Sequence, residues 1–306
     1  MEDQKSGTKH ERAGFFAAVA AFGSWGFLPV FWKQLKDVPA LEILCHRIFW
    51  SMVFVFIVLF VQGRLREIGE IVRKPRIAAL LTLSGAAVGL NWLIFIWAVN
   101  VDRVLEVSLG YYINPLMTVF LGFIVFRDIL RPIQWIAIGI AAAGLGYQLA
   151  LFGRLPLAGL GVATTFALYG LIRKVTPVGA ISGLFGEMIV LTVPALAYLL
   201  FLASGGQGAF LFGPVHRDVF LIASGVVTSI PLFCFAYAAR RLRLVTIGIL
   251  QYIGPTISFF LGTFLYKEPL TMTQIITFSC VWTAVVLYTV DSVMVARRSA
   301  PPRSAG

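Results

Sequence analysis

Ten apolar runs, most of them about 20 residues long, follow one another along this chain with only short charged turns between them. Their approximate bounds are 14–32, 41–62, 77–99, 104–126, 133–152, 157–172, 180–202, 219–239, 245–266 and 272–293. A helix rising about 1.5 Å per residue needs roughly 20 apolar residues to cross a hydrocarbon core of about 30 Å. A water-soluble fold has nowhere to bury ten such runs. The alternating strands of a membrane barrel, roughly 9–11 residues each, do not fit unbroken runs of this length. Composition agrees: 13% of residues are charged, against roughly 25% in soluble proteins. The expected fold is an all-α polytopic membrane protein with ten transmembrane helices.

The net charge of +11 invites a nucleic-acid reading, but its distribution excludes one. With the N-terminus inside, only Lys33, Lys36, Arg103, Arg154, Arg217 and Lys267 fall in outer turns. Arg47 lies within a helix, and all the other Lys and Arg fall inside. This positive-inside bias places both termini in the cytoplasm. Cys45, Cys234 and Cys280 lie in predicted helices without paired spacing, so neither zinc nor a disulfide framework is expected. The first run is long for a cleaved signal and is read as a retained span.

Residues 112–136 recur at 252–276. Tyr112, Ile113 and Pro115 match Tyr252, Ile253 and Pro255. Phe120, Leu121 and Gly122 match Phe260, Leu261 and Gly262. Leu130, Gln134 and Ile136 match Leu270, Gln274 and Ile276. Arg127–Asp128 becomes Lys267–Glu268. Such duplication in an apolar chain marks a transporter. Five helices per half is an odd number, so the halves are expected to be inverted: 14–152 and 157–293, with cytoplasmic tails at 1–13 and 294–306. Two complete repeats make a monomer sufficient.

Two stretches carry a family resemblance: His46-Arg47-Ile48-Phe49-Trp50-Ser51, and the segment from Asn91-Trp92 through Leu105-Glu106, Ser108-Leu109-Gly110-Tyr111 and Ile113-Asn114-Pro115-Leu116. With the two five-helix repeats, the chain resembles the EamA group of the drug/metabolite transporter superfamily, in its RarD-type branch. That resemblance implies a bacterial inner-membrane carrier. The family's acidic residue after the fourth helix of each repeat would be Asp128 and Glu268, the first being Asp where Glu is usual.

Pro115 and Pro255 each lie about eleven residues, or roughly 16 Å, into their helices, near the bilayer midplane. Each frees a carbonyl four residues earlier, on Tyr111 and Gln251. Paired breaks of this kind point to a transport site. The stripes Ser108–Tyr111–Tyr112–Pro115 and Gly248–Gln251–Tyr252–Pro255 then either line a central cavity or form a kinked packing interface. Candidate substrate contacts are Tyr111, Tyr112, Asn114, Asn91, Trp25, Tyr169, Gln251 and Tyr252. Asn91 requires either a ligand or a neighbouring helix. Trp25 and Tyr169 suit an amphipathic solute or ordinary packing equally.

Charges within helices default to function. Arg47 and Glu187 stand out, with Glu106 near the outer end of its helix. Arg47 is expected to pair with Glu187 or with Glu106, as a gate or as a permanent ion pair. Glu187, Glu106 and His46 are the residues able to carry a coupling proton. An enzyme is not expected: Asp and His are scattered, and no phosphate-binding Gly-rich loop is present. No cofactor or metal is expected. The expected activity is movement of a small metabolite or drug-like solute by alternating access; the alternative is a lipid or lipid-linked precursor flippase.

Overall fold

A computed structural model describes residues 2–267 and 270–298, with the side chains of residues 2–9 and 296–298 excepted. Glu268 and the tail from 299 lie outside the described residues. The described residues form helices α1 (Glu2–Trp32), α2 (Ala40–Val61), α3 (Arg66–Arg73), α4 (Pro75–Asn100), α5 (Val104–Phe126), α6 (Pro132–Phe152), α7 (Leu157–Val175), α8 (Ala180–Ser204), α9 (Val215–Ala239), α10 (Leu244–Leu250), α11 (Ile253–Phe260) and α12 (Met272–Arg298). A wider helical turn, Leu261–Leu265, continues α11. All ten apolar runs are helical. Nine helical segments among the described residues are long and apolar enough to span a membrane, one of them formed by α10, α11 and their extension together. The exception is α7, which ends in Arg173 and Lys174. The chain is an all-α, multi-pass membrane protein.

Two elements depart from expectation. The polar leader is helical from Glu2 and continuous with the first span; its Glu, Lys, Gln and Arg are all good helix formers. The charged turn after α2 contains α3, whose single buried residue is Ile71. Elsewhere the boundaries follow local chemistry. Pro75 and Pro132 open α4 and α6, where the missing N–H costs nothing. Gly153 closes α6 at φ 71°, in the left-handed region.

The repeated Arg127 and Lys267 share a backbone state as well as a charge. Both are left-handed, at φ 52° and 54°. At the end of α5 this turn lets the Arg127 and Asp128 amides reach back to the Gly122 carbonyl. A left-handed non-glycine residue costs roughly 1–2 kcal/mol, so its recurrence marks a geometry both halves require.

Helix neighbours are α1 with α9 and α11, α2 with α8 and α9, α4 with α7 and α8, α5 with α7 and α10, and α6 with α12. Exchanging α1, α2, α4, α5 and α6 for α7, α8, α9, α10–α11 and α12 maps every one of these contacts onto another or onto itself. Lipid-facing helices gain little from excluding water, so close backbone approach and polar contacts must hold them together. Gly110 and Gly159 supply one such approach: a Cβ on Gly110 would stand 2.6 Å from the Gly159 carbonyl oxygen, fixing the crossing of α5 and α7. Gly85 and Gly89 of α4 face Glu187 and Leu191 of α8 within the same chain. An aromatic core of Phe22, Tyr169 and Phe235 fills the centre, with Tyr169 stacked on Phe235 at 5.6 Å.

Candidate functional site: charged groups at membrane depth

The turns 62–74, 127–131, 176–179 and 240–243 lie at one end of the bundle, called here the basic end. Near it, Glu187 of α8 sits in a closed cage. Arg173 Nη1 of α7 stands 3.4 Å from Glu187 Oε1, and both side chains are fully buried. Ser84 Oγ of α4 donates to Oε1 at 2.5 Å, and the Tyr169 hydroxyl donates to Oε2 at 3.4 Å. Arg173 Nη2 donates to the Ala180 carbonyl at 3.2 Å. Gly183, one turn before Glu187, leaves room for this fork: a Cβ there would overlap the guanidinium. Arg173 Nε and Nη1 are sealed and make no hydrogen bond, so the ion pair is held by charge more than by geometry.

Around this cage the basic end is tied together across the two halves. Arg131 pairs with Asp291, and Arg243 Nε stands 3.4 Å from Asp128 Oδ1. Asp128 also accepts from the Val245 amide at 3.4 Å. Arg240 Nη1 donates to the Val178 carbonyl and Lys174 Nζ to the Leu242 carbonyl, each at 2.5 Å. On α3, Glu67 is bonded by Arg64 at 2.6 Å and by the Ser182 hydroxyl. Those two donors hold its carboxyl below the usual glutamate range, and Glu67 in turn holds Arg64 above its ordinary value.

The other end is built differently. Neither expected pairing of Arg47 forms. Glu187 is taken by Arg173. Glu106 stands 3.2 Å from Arg154 Nη2 and accepts from the Ala158 amide at 3.2 Å. The reason is depth: the carboxylates find partners at their own helix ends, and Arg47 lies between them. The Arg47 guanidinium is instead flanked by the rings of Trp92 at 4.5 Å and Trp32 at 4.9 Å. Its Nε donates to Thr228 Oγ1 at 3.1 Å. No acidic side chain among the described residues pairs with it. Its neighbour His46 faces Glu42 at 3.9 Å, and Glu42 accepts from the Ala209 amide at 2.5 Å.

The proline pair also requires a correction. The second copy breaks: α10 ends at Leu250, a turn carries Gln251 and Tyr252, and α11 resumes at Ile253. The Gln251 carbonyl is taken by the Gly254 amide at 3.2 Å. The first copy does not break, and α5 runs unbroken through Pro115. Gly254 precedes Pro255 where Asn114 precedes Pro115. Glycine costs a helix about 1 kcal/mol relative to alanine, and more than asparagine does. α5 is also clamped: a Cβ on Gly248 would stand 2.8 Å from the Pro115 carbonyl oxygen.

The remaining candidates divide by exposure. Tyr111 is 44% exposed and lies within electrostatic reach of Arg47. Tyr112 is half-buried against Phe278, and its carbonyl faces the Tyr252 hydroxyl at 3.5 Å. Asn114 Oδ1 and Gln251 Nε2 are sealed without partners, while Gln251 Oε1 accepts from Thr118 at 3.1 Å. Asn91 resolves to a helix–helix bond, donating to the Val162 carbonyl at 2.7 Å. Trp25 packs on Phe166 and Phe235. A cavity of about 480 Å³ lined by Ile113, Leu149, Arg154 and Leu160 includes none of the candidates. Sequence reasoning missed Arg173, Ser84, Trp32 and Thr228. Arg173 enters the sequence reading only among the inside charges; its placement one turn after Tyr169 is the available signal.

The fold is a multi-pass helical membrane bundle with ion pairs at membrane depth, and comparison with known proteins gives its class and family. The EamA-like transporter family model matches residues 12–147. An uncharacterized transporter of Vibrio cholerae is 41% identical over 92% of this chain and 93% of its own length. The protein RarD of Salmonella typhi is 41% identical over 95% and 99%. A chloramphenicol-sensitive protein RarD of Pseudomonas aeruginosa is 29% identical over 94% and 97%. One solved crystal structure superposes with a TM-score of 0.71 at 16% identity, over 92% of this chain and 98% of the other, which bears on the fold alone. The chain belongs to the EamA-like transporter family, in its RarD-type branch.

Proposed function

We propose that this transporter is a secondary carrier of a small metabolite or drug-like solute in the bacterial inner membrane, with both termini in the cytoplasm. Its two inverted five-helix repeats, 14–152 and 157–293, rock against one another to expose a central path to each side in turn. The observation that carries this reading is the asymmetry of the ion pairs between halves, since the ties reported at the other end are hydrogen bonds. The ion pairs Arg131–Asp291 and Arg243–Asp128, both joining one half to the other, lie at the basic end. On this reading the structure represents the state closed toward the cytoplasm. The self-mapping helix contacts support the inverted arrangement.

Opening the cytoplasmic side requires these ties and the Glu187 cage to part. Glu187 is the proposed site of a coupling proton, because it is a carboxyl at membrane depth whose protonation ends the attraction that holds Arg173 in the cage. The relative named for chloramphenicol sensitivity makes that amphenicol the first drug-like solute to measure. The test is flux of radiolabelled solutes, chloramphenicol first, into proteoliposomes holding the full chain. Saturable movement, abolished when Arg131 and Arg243 are chemically cross-linked to the opposite half, is expected. Flux that survives the cross-link sinks alternating access.

A further inference from the structure

We propose that Arg47 binds the carboxylate of the transported solute, so that the solute class is small monocarboxylates with an aromatic or apolar body. This deepens the carrier reading above and rests on it. A guanidinium at membrane depth is costly and calls for an anion. Every carboxylate that sequence reasoning offered is engaged elsewhere: Glu187 by Arg173, Glu106 by Arg154. The Arg47 fork is nonetheless fixed in place. The rings of Trp32 and Trp92 lie against its guanidinium, and Thr228 holds its Nε. Its two Nη nitrogens receive no acceptor among the described residues, and they are not among the sealed, partnerless polar atoms of the interior. Each therefore keeps some accessible surface.

With its Nε on Thr228 and its centre against two indole rings, the fork keeps its two Nη groups for a ligand, and their spacing matches the two oxygens of a carboxylate. The charge count favours a monoanion. Arg47 offers one positive charge, and a phosphate dianion would leave an uncompensated negative charge in a dry interior. Tyr111, beside Arg47 and 44% exposed, and Phe95, whose ring lies 6.4 Å from it, give the body of the solute an aromatic wall. The arrangement crosses between the halves: Arg47, Trp32 and Trp92 come from the first, Thr228 from the second. Occupancy would therefore be sensed by both repeats.

The test uses purified full-length protein and matched probes: phenylacetate and indole-3-acetate against phenylacetamide and indole-3-acetamide. A ligand that binds only the folded state raises its melting temperature. The acids are expected to stabilise the protein and the amides are not. Arg47→Gln is expected to weaken acid binding by about tenfold to a hundredfold, the worth of a charge-assisted hydrogen bond. Should Arg47→Gln fail to fold, Thr228→Val, which frees Nε while keeping the charge, is expected to weaken acid binding by a smaller factor. No preference for acid over amide, including no response to either, overturns the proposal; so does a response to inorganic phosphate alone, or acid binding that survives loss of Arg47. Proteoliposome flux separates the two claims. Acid binding through Arg47 without movement keeps the site and overturns the carrier. Saturable movement of a neutral solute, indifferent to Arg47→Gln, keeps the carrier and overturns the carboxylate class.

Discussion

Arg47 and Arg173 are both arginines held inside the helical bundle, yet their surroundings oppose each other. Arg173 is fully buried, answered by Glu187 and crowded against Gly183. Arg47 is half-buried, held by two indole faces and a hydroxyl, and has no carboxylate within reach among the described residues. The difference teaches what each charge is for. A buried pair is complete in itself, so it serves to join helices. A cation fixed but unneutralised is complete only with something brought from outside.

The comparison breaks most sharply if stability fails to separate the two. Arg173→Ala leaves Glu187 uncompensated in a dry interior, and a loss of about 3–5 kcal/mol is expected. Chemical denaturation in detergent measures it, and Arg173→Met with Glu187→Leu is expected to recover most of the loss. Arg47→Ala removes two cation–π contacts and one hydrogen bond, so a loss of only about 1–2 kcal/mol is expected, with flux abolished. If Arg47→Ala unfolds the protein as readily as Arg173→Ala, the two arginines play the same structural part.

Glu187→Gln sharpens the contrast. It keeps the Ser84 and Tyr169 contacts in shape but not the charge. Solute binding is expected to persist while proton-driven accumulation is lost; accumulation unchanged by a pH gradient or by the substitution removes Glu187 from coupling. The smallest effect belongs to Glu67 on α3. Its folded carboxyl is held below the ordinary glutamate value of 4.5. Its contribution is therefore fully present above that value and lost as pH falls through the lower folded one. Glu67→Gln is expected to flatten the acid side of a melting-temperature profile slightly and to leave neutral pH nearly unchanged, because the pair with Arg64 is partly exposed and screened by solvent.

Much of the architecture was legible beforehand. The ten runs became helices because a bilayer offers the backbone no other partners, and length alone locates them. The recurrence at a fixed offset found Arg127 and Lys267, and both occupy the same left-handed turn. The proline pair shows where that legibility stopped. Pro255 follows glycine and sits at a real break, while Pro115 follows asparagine inside a helix clamped on both sides. A proline weakens a helix, but packing decides whether the helix yields.

Sequence by itself determined that the chain is a multi-pass helical membrane protein, where its apolar runs fall, and which residues recur at a fixed offset. Those follow from local quantities: apolar length, charge and offset. Tertiary structure decided the partners. Arg173 and Glu187 are brought together across α7 and α8, where Gly183 makes room, and Arg47 is passed over because helix depth and rotation carry both carboxylates away from it. Partnership inside a membrane depends on rotations and depths that differ by single ångströms, and one-dimensional spacing does not hold that information.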